Sequence, residues 1–202
     1  MSSSRTAVRQ YGVAVPAMLI VTVVLGVGYT AVLTGIGQLA LPWQANGSLV
    51  KVGDAVVGSA LIGQGFTDKK GNALPEWFQS RPGAAGTGYD ASASSGSNYG
   101  PENADLITAV TERKAAIATL DGVSPSTIPA DALTASASGL DPHISPEYAL
   151  EQVARIARVR SLPEAAVRSL VKNTIQAPDL GYLGEPRVNV LDLNIALASL
   201  KG

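Results

Sequence analysis

The residue types that most often do chemistry are sparse in this chain of 202 residues, and their spacing builds no familiar active site. The only histidine, His143, lies in Leu-Asp-Pro-His-Ile-Ser-Pro. A zinc site would need further nitrogen or sulfur ligands, and there is no second histidine and no cysteine to supply them. His143 could pair with a serine of the stretch 93–100, which defines one reading: a membrane-anchored extracytoplasmic hydrolase with a Ser/His site. No Gly-x-Ser-x-Gly elbow accompanies it. A histidine that braces the turn ahead of a helix is the simpler expectation. Asp141 is two residues away, too close in sequence for spacing to decide its role. Gly63 and Gly65 lack the third glycine of a dinucleotide fingerprint, and no Gly-x-x-x-x-Gly-Lys-Ser/Thr phosphate loop occurs. The carboxylates are scattered, with no close pair for acid–base work. The lack of cysteine excludes disulfides, thiolate ligands and a lipidated cysteine anchor, and leaves the redox compartment open. A net charge of −1 gives nucleic acid nothing to bind.

The elements that position these residues fall into two parts. No Asp, Glu, Lys or Arg occurs between Arg9 and Lys51, and Val13–Leu33 is almost wholly apolar. Twenty-one helical residues span about 31 Å, the thickness of a bilayer's hydrocarbon core. Pro16 is expected near the helix start, where a missing N–H costs least, and Trp43 beyond the far end as an interfacial anchor. The apolar run is longer than a signal-peptide core and no small-x-small site follows, so an uncleaved anchor is expected. The expected layout is a short cytoplasmic N-terminus at 1–12, a transmembrane helix at 13–34, a juxtamembrane connection at 35–47 and a soluble domain at 48–202. Arg5, Arg9 and the α-amino group precede the helix, so the positive-inside rule places the N-terminus in the cytoplasm and residues 48–202 outside. With Arg5 and Arg9 removed from the 15 Lys and Arg, 13 remain against 16 Asp and Glu, a formal −3 for the remainder. Thr22, Gly26, Thr30 and Thr34 recur every fourth residue, a small-residue stripe suited to close packing against another transmembrane helix. The helix carries no ionisable path of its own for an ion.

The soluble region reads as mixed α+β, a single domain whose C-terminal half is helical. Ala55–Ile62 is strand-like, and Asp68–Ala73 is a polar loop. Trp77 and Phe78 should anchor a cluster. Gly83–Pro101 is rich in Gly, Ala and Ser, yet Tyr89, Asp90, Asn98 and Tyr99 are interleaved in it, and an ordered surface loop is expected. A helix is expected over 102–120. Ser145 as N-cap and Pro146 as first residue open another over 146–160. Ser161-Leu162-Pro163-Glu164 reads as a capping box that starts a partner helix, completing a helical hairpin. A short strand at 187–190 and a final helix end the pattern.

Five segments add a family resemblance. Gly58–Phe66 (GSALIGQGF), Trp77–Pro82 (WFQSRP), Ser95–Pro101 (SGSNYGP), Leu133–Pro146 (LTASASGLDPHISP) and Gly184–Leu191 (GEPRVNVL) stand in order behind one apolar helix. Together they resemble the C subunit of the Kdp-type potassium-transporting P-type ATPase. Ser95-Gly96 and Ala137 replace glycines usual in that family, and Asp68–Leu74 reads as a short insertion. The resemblance implies a non-catalytic accessory subunit needed for assembly. It also implies a catalytic chaperone that raises the ATP affinity of the ATPase subunit. The implied partners are a potassium-selective channel-like subunit, the P-type ATPase subunit and a small single-helix subunit. No Asp-Lys-Thr-Gly phosphorylation motif is present, in keeping with a non-catalytic role. A domain outside the cytoplasm cannot reach a cytoplasmic nucleotide site, so no cofactor is expected to be held firmly and ATP is reached only through the partner. Tyr89, Asn98, Tyr99 and His143 are the candidates for partner contact or loop bracing, with the Thr22–Thr34 stripe in the membrane.

Overall fold

The computed structural model describes residues 3–200, with side chains from Thr6 onward. The side chain of Arg5, one of the charges on which the orientation rests, lies outside them. Two compact units divide near Ser48.

The first unit is one run of helix. It comprises α1 (Ser3–Val21), a π-helical stretch (Thr22–Tyr29) and α2 (Thr30–Ala40), followed by the short α3 (Pro42–Ala45). Residues 6–40 are long and apolar enough to cross a membrane. At 1.5 Å per residue they reach about 50 Å, more than the hydrocarbon core needs. Helical backbone begins well before the apolar stretch, so Pro16 lies inside α1 rather than at its start. There it removes one backbone hydrogen bond that the first turn would not have missed. At the far end Asn46 closes the chain on itself. Its Nδ2 donates to the Pro42 carbonyl at 2.6 Å and to Gln38 Oε1 at 3.0 Å.

The second unit is α+β with its helices toward the C-terminus. Strands β1 (Leu49–Val52) and β2 (Ala55–Ser59) form an antiparallel hairpin with a bulge at Val50/Lys51. Its two-residue loop puts Gly53 at φ 60, which glycine accepts without strain. After a long stretch with little regular structure, Asn103 caps α4 (Ala104–Asp121) by accepting the amides of Asp105 and Leu106. This cap is why the helix starts two residues later than its pattern suggests. Then come α5 (Ala130–Leu133), β3 (His143–Ile144), α6 (Pro146–Glu151), α7 (Val153–Arg160), α8 (Glu164–Thr174), β4 (Val188–Asn189) and α9 (Val190–Ser199). Strands β3 and β4 pair antiparallel over two residues. Ser145 caps α6 as expected, accepting from the Tyr148 amide at 3.0 Å.

The capping box expected at Ser161 does not form. Ser161 instead ends α7 in the left-handed region at φ 54, and α8 starts behind Pro163 with no side-chain cap. The residue that must turn the chain out of one helix cannot also hold the extended backbone that capping the next requires.

The core joins Phe78, Ile144, Tyr148, Val153, Ile156, Val167, Val171, Val188, Leu193 and Leu197. Inside it lies a fully buried cation, Arg155. Its Nε donates to Asp121 Oδ1 at 2.5 Å, Nη2 to Gln152 Oε1 at 2.7 Å, and Nη1 to the carbonyls of Pro75 and Trp77. Gln152 and Asn194 hold the same strand of chain. Gln152 bridges the amide and carbonyl of Gln79 at 2.7 and 3.2 Å, and Asn194 bridges those of Phe78 at 2.9 and 3.0 Å. Two side-chain amides thus do for residues 78–79 what a neighbouring β-strand would do. Arg160 completes the grip, donating to the Glu76 carbonyl at 2.7 Å with its guanidinium 4.3 Å above the Trp77 ring.

Glu151 sits beside this network with Oε1 buried and unbonded. Burial pushes its carboxyl up to about 7, helped by the charges of Asp121 and Asp131. Between the ordinary value of 4.5 and about 7 the folded chain therefore binds more protons than the unfolded one, and stability falls as pH rises through that window. Glu151→Gln should leave the thermal midpoint near pH 4 almost unchanged and raise it near pH 8, flattening the profile measured by circular dichroism in detergent.

Candidate functional site

The five motif segments, far apart in sequence, meet at one place in the second unit. The β2 end comes first. A Cβ on Gly58 would stand 2.8 Å from Leu191 Cδ2, and one on Gly63 would stand 2.5 Å from the Tyr89 ring and 2.6 Å from the Asp141 carbonyl. At Gly63 the neighbour is backbone, so close approach requires the glycine; at Gly58 it is the tip of a side chain. Gly63 donates its amide to the Leu140 carbonyl at 2.8 Å, Asn189 reaches the Ala60 carbonyl at 2.9 Å, and Ser80 Oγ donates to the Gln64 carbonyl at 2.9 Å. Val190 donates its amide to the Pro142 carbonyl at 3.0 Å, tying the last segment to the fourth.

Arg81 is the hub. Nη1 meets Asp141 Oδ2 at 2.9 Å, while Nε and Nη2 share the Thr134 carbonyl at 3.3 and 3.1 Å. The other oxygen of Asp141 accepts from the His143 amide at 2.9 Å and lies 3.2 Å from His143 Nδ1. Tyr89 donates its hydroxyl to the Arg81 carbonyl at 2.5 Å. Burial pushes the Asp141 carboxyl up, but hydrogen bonds from His143 and Arg81 outweigh that and hold it below its ordinary value. Burial drives the Tyr89 phenol up to about 12. At neutral pH the aspartate is therefore a charged acceptor and the tyrosine a neutral donor, which suits bracing rather than proton transfer. A cleft of ≈ 760 Å³ opens beside them, lined in part by Arg81, Asp141, His143, Glu147, Glu185 and Arg187.

Of the residues expected from sequence, His143 and Tyr89 are brought to this cluster. Asn98 and Tyr99 lie in the same loop but are exposed and join no described hydrogen bond of the cluster. Thr22, Gly26, Thr30 and Thr34 belong to the other unit. Their every-fourth spacing, reckoned on an α-helix, runs through the looser π-helical stretch. Thr22 Cγ2 still lies 3.9 Å from where a Gly26 Cβ would stand, so those two are neighbours.

Ser94 and Ser95 direct their described hydrogen bonds away from His143. Ser94 Oγ and the Ser95 amide both donate to the Ser138 carbonyl at 3.0 Å, and among the described residues no serine of that stretch hydrogen-bonds to the ring. Those bonds hold the Gly/Ser loop against 137–139. A Cβ on Gly96 would stand 2.9 Å from the Ala137 carbonyl, and Gly139 takes φ 67 with a Cβ position 2.4 Å from the Ser95 carbonyl. Among the described residues no three His, Cys, Asp or Glu side chains are grouped to hold a metal ion.

Sequence reasoning gave no role to Arg81 and Thr134, which lie inside quoted motif segments, and did not single out Gln152, Arg155 or Asn194. The available signal was polarity at a core position: Arg155 stands between Val153 and Ile156 on the buried face of α7.

Asp141→Asn should keep the fold but remove the charge that Arg81 and His143 share, lowering stability at pH 7 by about 1–2 kcal/mol. The wild-type and variant chains should converge in acid, because the stabilisation is lost as pH falls through the depressed value of Asp141. Chemical denaturation across pH 2–7 reads both.

A family model described as "K+-transporting ATPase, c chain" matches residues 11–199. Proteins named "Potassium-transporting ATPase KdpC subunit" are similar over nearly the whole chain. That of Kineococcus radiotolerans is 50% identical, covering 90% of this chain and 89% of its own length. That of Beijerinckia indica is 51% identical over 89% and 88%, and that of Caulobacter vibrioides 53% over 91% and 90%. A match of this extent leaves one assignment: the chain belongs to the C-chain family of potassium-transporting ATPases.

Proposed function

We propose that this chain is the non-catalytic accessory subunit of an ATP-driven potassium-uptake complex, needed for its assembly and stability. Its partners are a potassium-selective channel-like subunit, the P-type ATPase subunit and a small single-helix subunit. The observation that carries the reading is the apolar helix over residues 6–40, exposed almost throughout, in a chain of this family. Such a surface is stable only in lipid or against other membrane helices. The Thr22–Thr34 stripe is the face on which a companion helix would pack closely.

The second unit lies outside the cytoplasm in this proposal, because Arg5 and Arg9 closely precede the apolar helix while Lys51 is the first positive side chain after it. Any rise in the ATP affinity of the ATPase subunit is then transmitted through the assembled membrane helices, without contact between this domain and nucleotide. The Arg81–Asp141–His143 set fits this role, since it locks loops into one shape and leaves no activated nucleophile. His143→Ala should accordingly leave complex assembly and potassium uptake intact.

Purification from native membranes in mild detergent should bring down an ATPase and a large multi-span protein with this chain; the chain arriving alone would refute the proposal. The lack of cysteine makes topology readable with one substitution. Ser126→Cys, at an exposed position, should be labelled by an impermeant maleimide in intact cells. Labelling only after permeabilisation would reverse the orientation.

A further inference from the structure

We infer that the hairpin tip at residues 179–185 is a docking element that seats in an apolar, basic-rimmed recess of another polypeptide of the transport complex. This rests on the accessory-subunit reading and names the surface that reading leaves unassigned. Leu180 is 81% exposed, Tyr182 74% and Leu183 49%. Three large apolar side chains within four consecutive residues form a patch where single exposed residues would need no explanation.

The tip is built, not frayed. Asp179 and Leu183 exchange backbone hydrogen bonds at 2.9 Å each way, and Gly181 donates its amide to the Pro178 carbonyl at 2.9 Å. At its base Gln176 and Arg187 exchange bonds at 2.8 and 3.1 Å. Leu180 holds φ 55, a left-handed backbone that a branched side chain adopts at a cost, although a glycine follows directly. Leucine is therefore both strained and solvent-exposed here. Neither property helps this unit by itself, and both make sense if the side chain is buried elsewhere.

Charge selects the occupant. Asp179 and Glu185 flank the tip and are exposed, and Arg187 Nη2 lies 3.4 Å from each oxygen of Asp179. With Asp179 paired to Arg187 the rim keeps a net −1 through Glu185, which an anionic lipid surface would repel. A second copy would set acidic rim against acidic rim. A polypeptide offering an apolar recess with basic groups at its edge satisfies both the patch and its rim.

The test is a photoreactive benzoylphenylalanine placed at Tyr182 of the full chain in native membranes. The expected adduct is with a companion subunit. Adducts with lipid only, with a second copy, or with nothing overturn the inference. A second variant separates docking from folding. Leu180→Asn with Tyr182→Ser should fold at least as stably as the wild type, since asparagine tolerates the left-handed backbone. It should nonetheless leave the complex about tenfold faster during detergent washing. Equal retention counts against the tip. A wild-type chain that purifies without companions removes the accessory-subunit reading and this one together; a wild-type chain that keeps them while the Tyr182 adduct fails removes this one alone.

Discussion

The soluble unit is organised around one buried guanidinium. Arg155 brings a full positive charge into the core of α7, and four acceptors answer it: a carboxylate from α4, a side-chain amide one turn earlier and two backbone carbonyls from 75 and 77. A buried charge is tolerated only with such complete pairing. Removing either Arg155 or Asp121 would strand its partner at about 3–5 kcal/mol. The geometry that satisfies Arg155 also fixes where the irregular chain between β2 and α4 must run. Gln152 and Asn194 then clamp the backbone of 78 and 79 on the same side. A segment with no strand of its own is thereby held as firmly as a strand.

From that clamp the rest of the motif cluster follows. Phe78 enters the core, so Arg81 emerges three residues later within reach of Asp141 and the Thr134 carbonyl. Asp141 orders His143 immediately before α6, and Tyr89 folds the Gly/Ser loop back on Arg81. Glycines at 63, 96 and 139 let these chains touch at distances that a Cβ would forbid. The cluster is therefore a device for shape. Asp141, His143 and Tyr89, polar side chains that might have suggested catalysis, are hydrogen-bonded within the cluster.

Much of this was legible in the residues. The apolar run, the mixed α+β character, the Ser145 cap and the late strand-then-helix at 188–199 follow from composition, capping chemistry and period. The family resemblance was carried by segments whose meaning is visible only in three dimensions, because each one contacts another far away in sequence. Local rules failed where tertiary demands won. Ser161 carries the letters of a capping box but is needed to end α7, and Pro16 sits within a helix that begins earlier than its apolar stretch. Arg155 was hidden for the opposite reason. Its charge reads as surface, and only the acceptors from 75, 77 and 121 make it core. The exposed apolar tip at 180–183 has no signature in the sequence either, because exposure of Leu180, Tyr182 and Leu183 is not written there.

Amide hydrogen exchange at Phe78 and Gln79 tests the clamp most directly. If Gln152, Asn194 and Arg155 hold this segment as part of the core, both amides should exchange as slowly as those of Ile156 and Val171, through global unfolding. Exchange at the rate of the exposed loop at 68–73 would mean that the segment opens independently, and the account of how the motifs are brought together would be wrong.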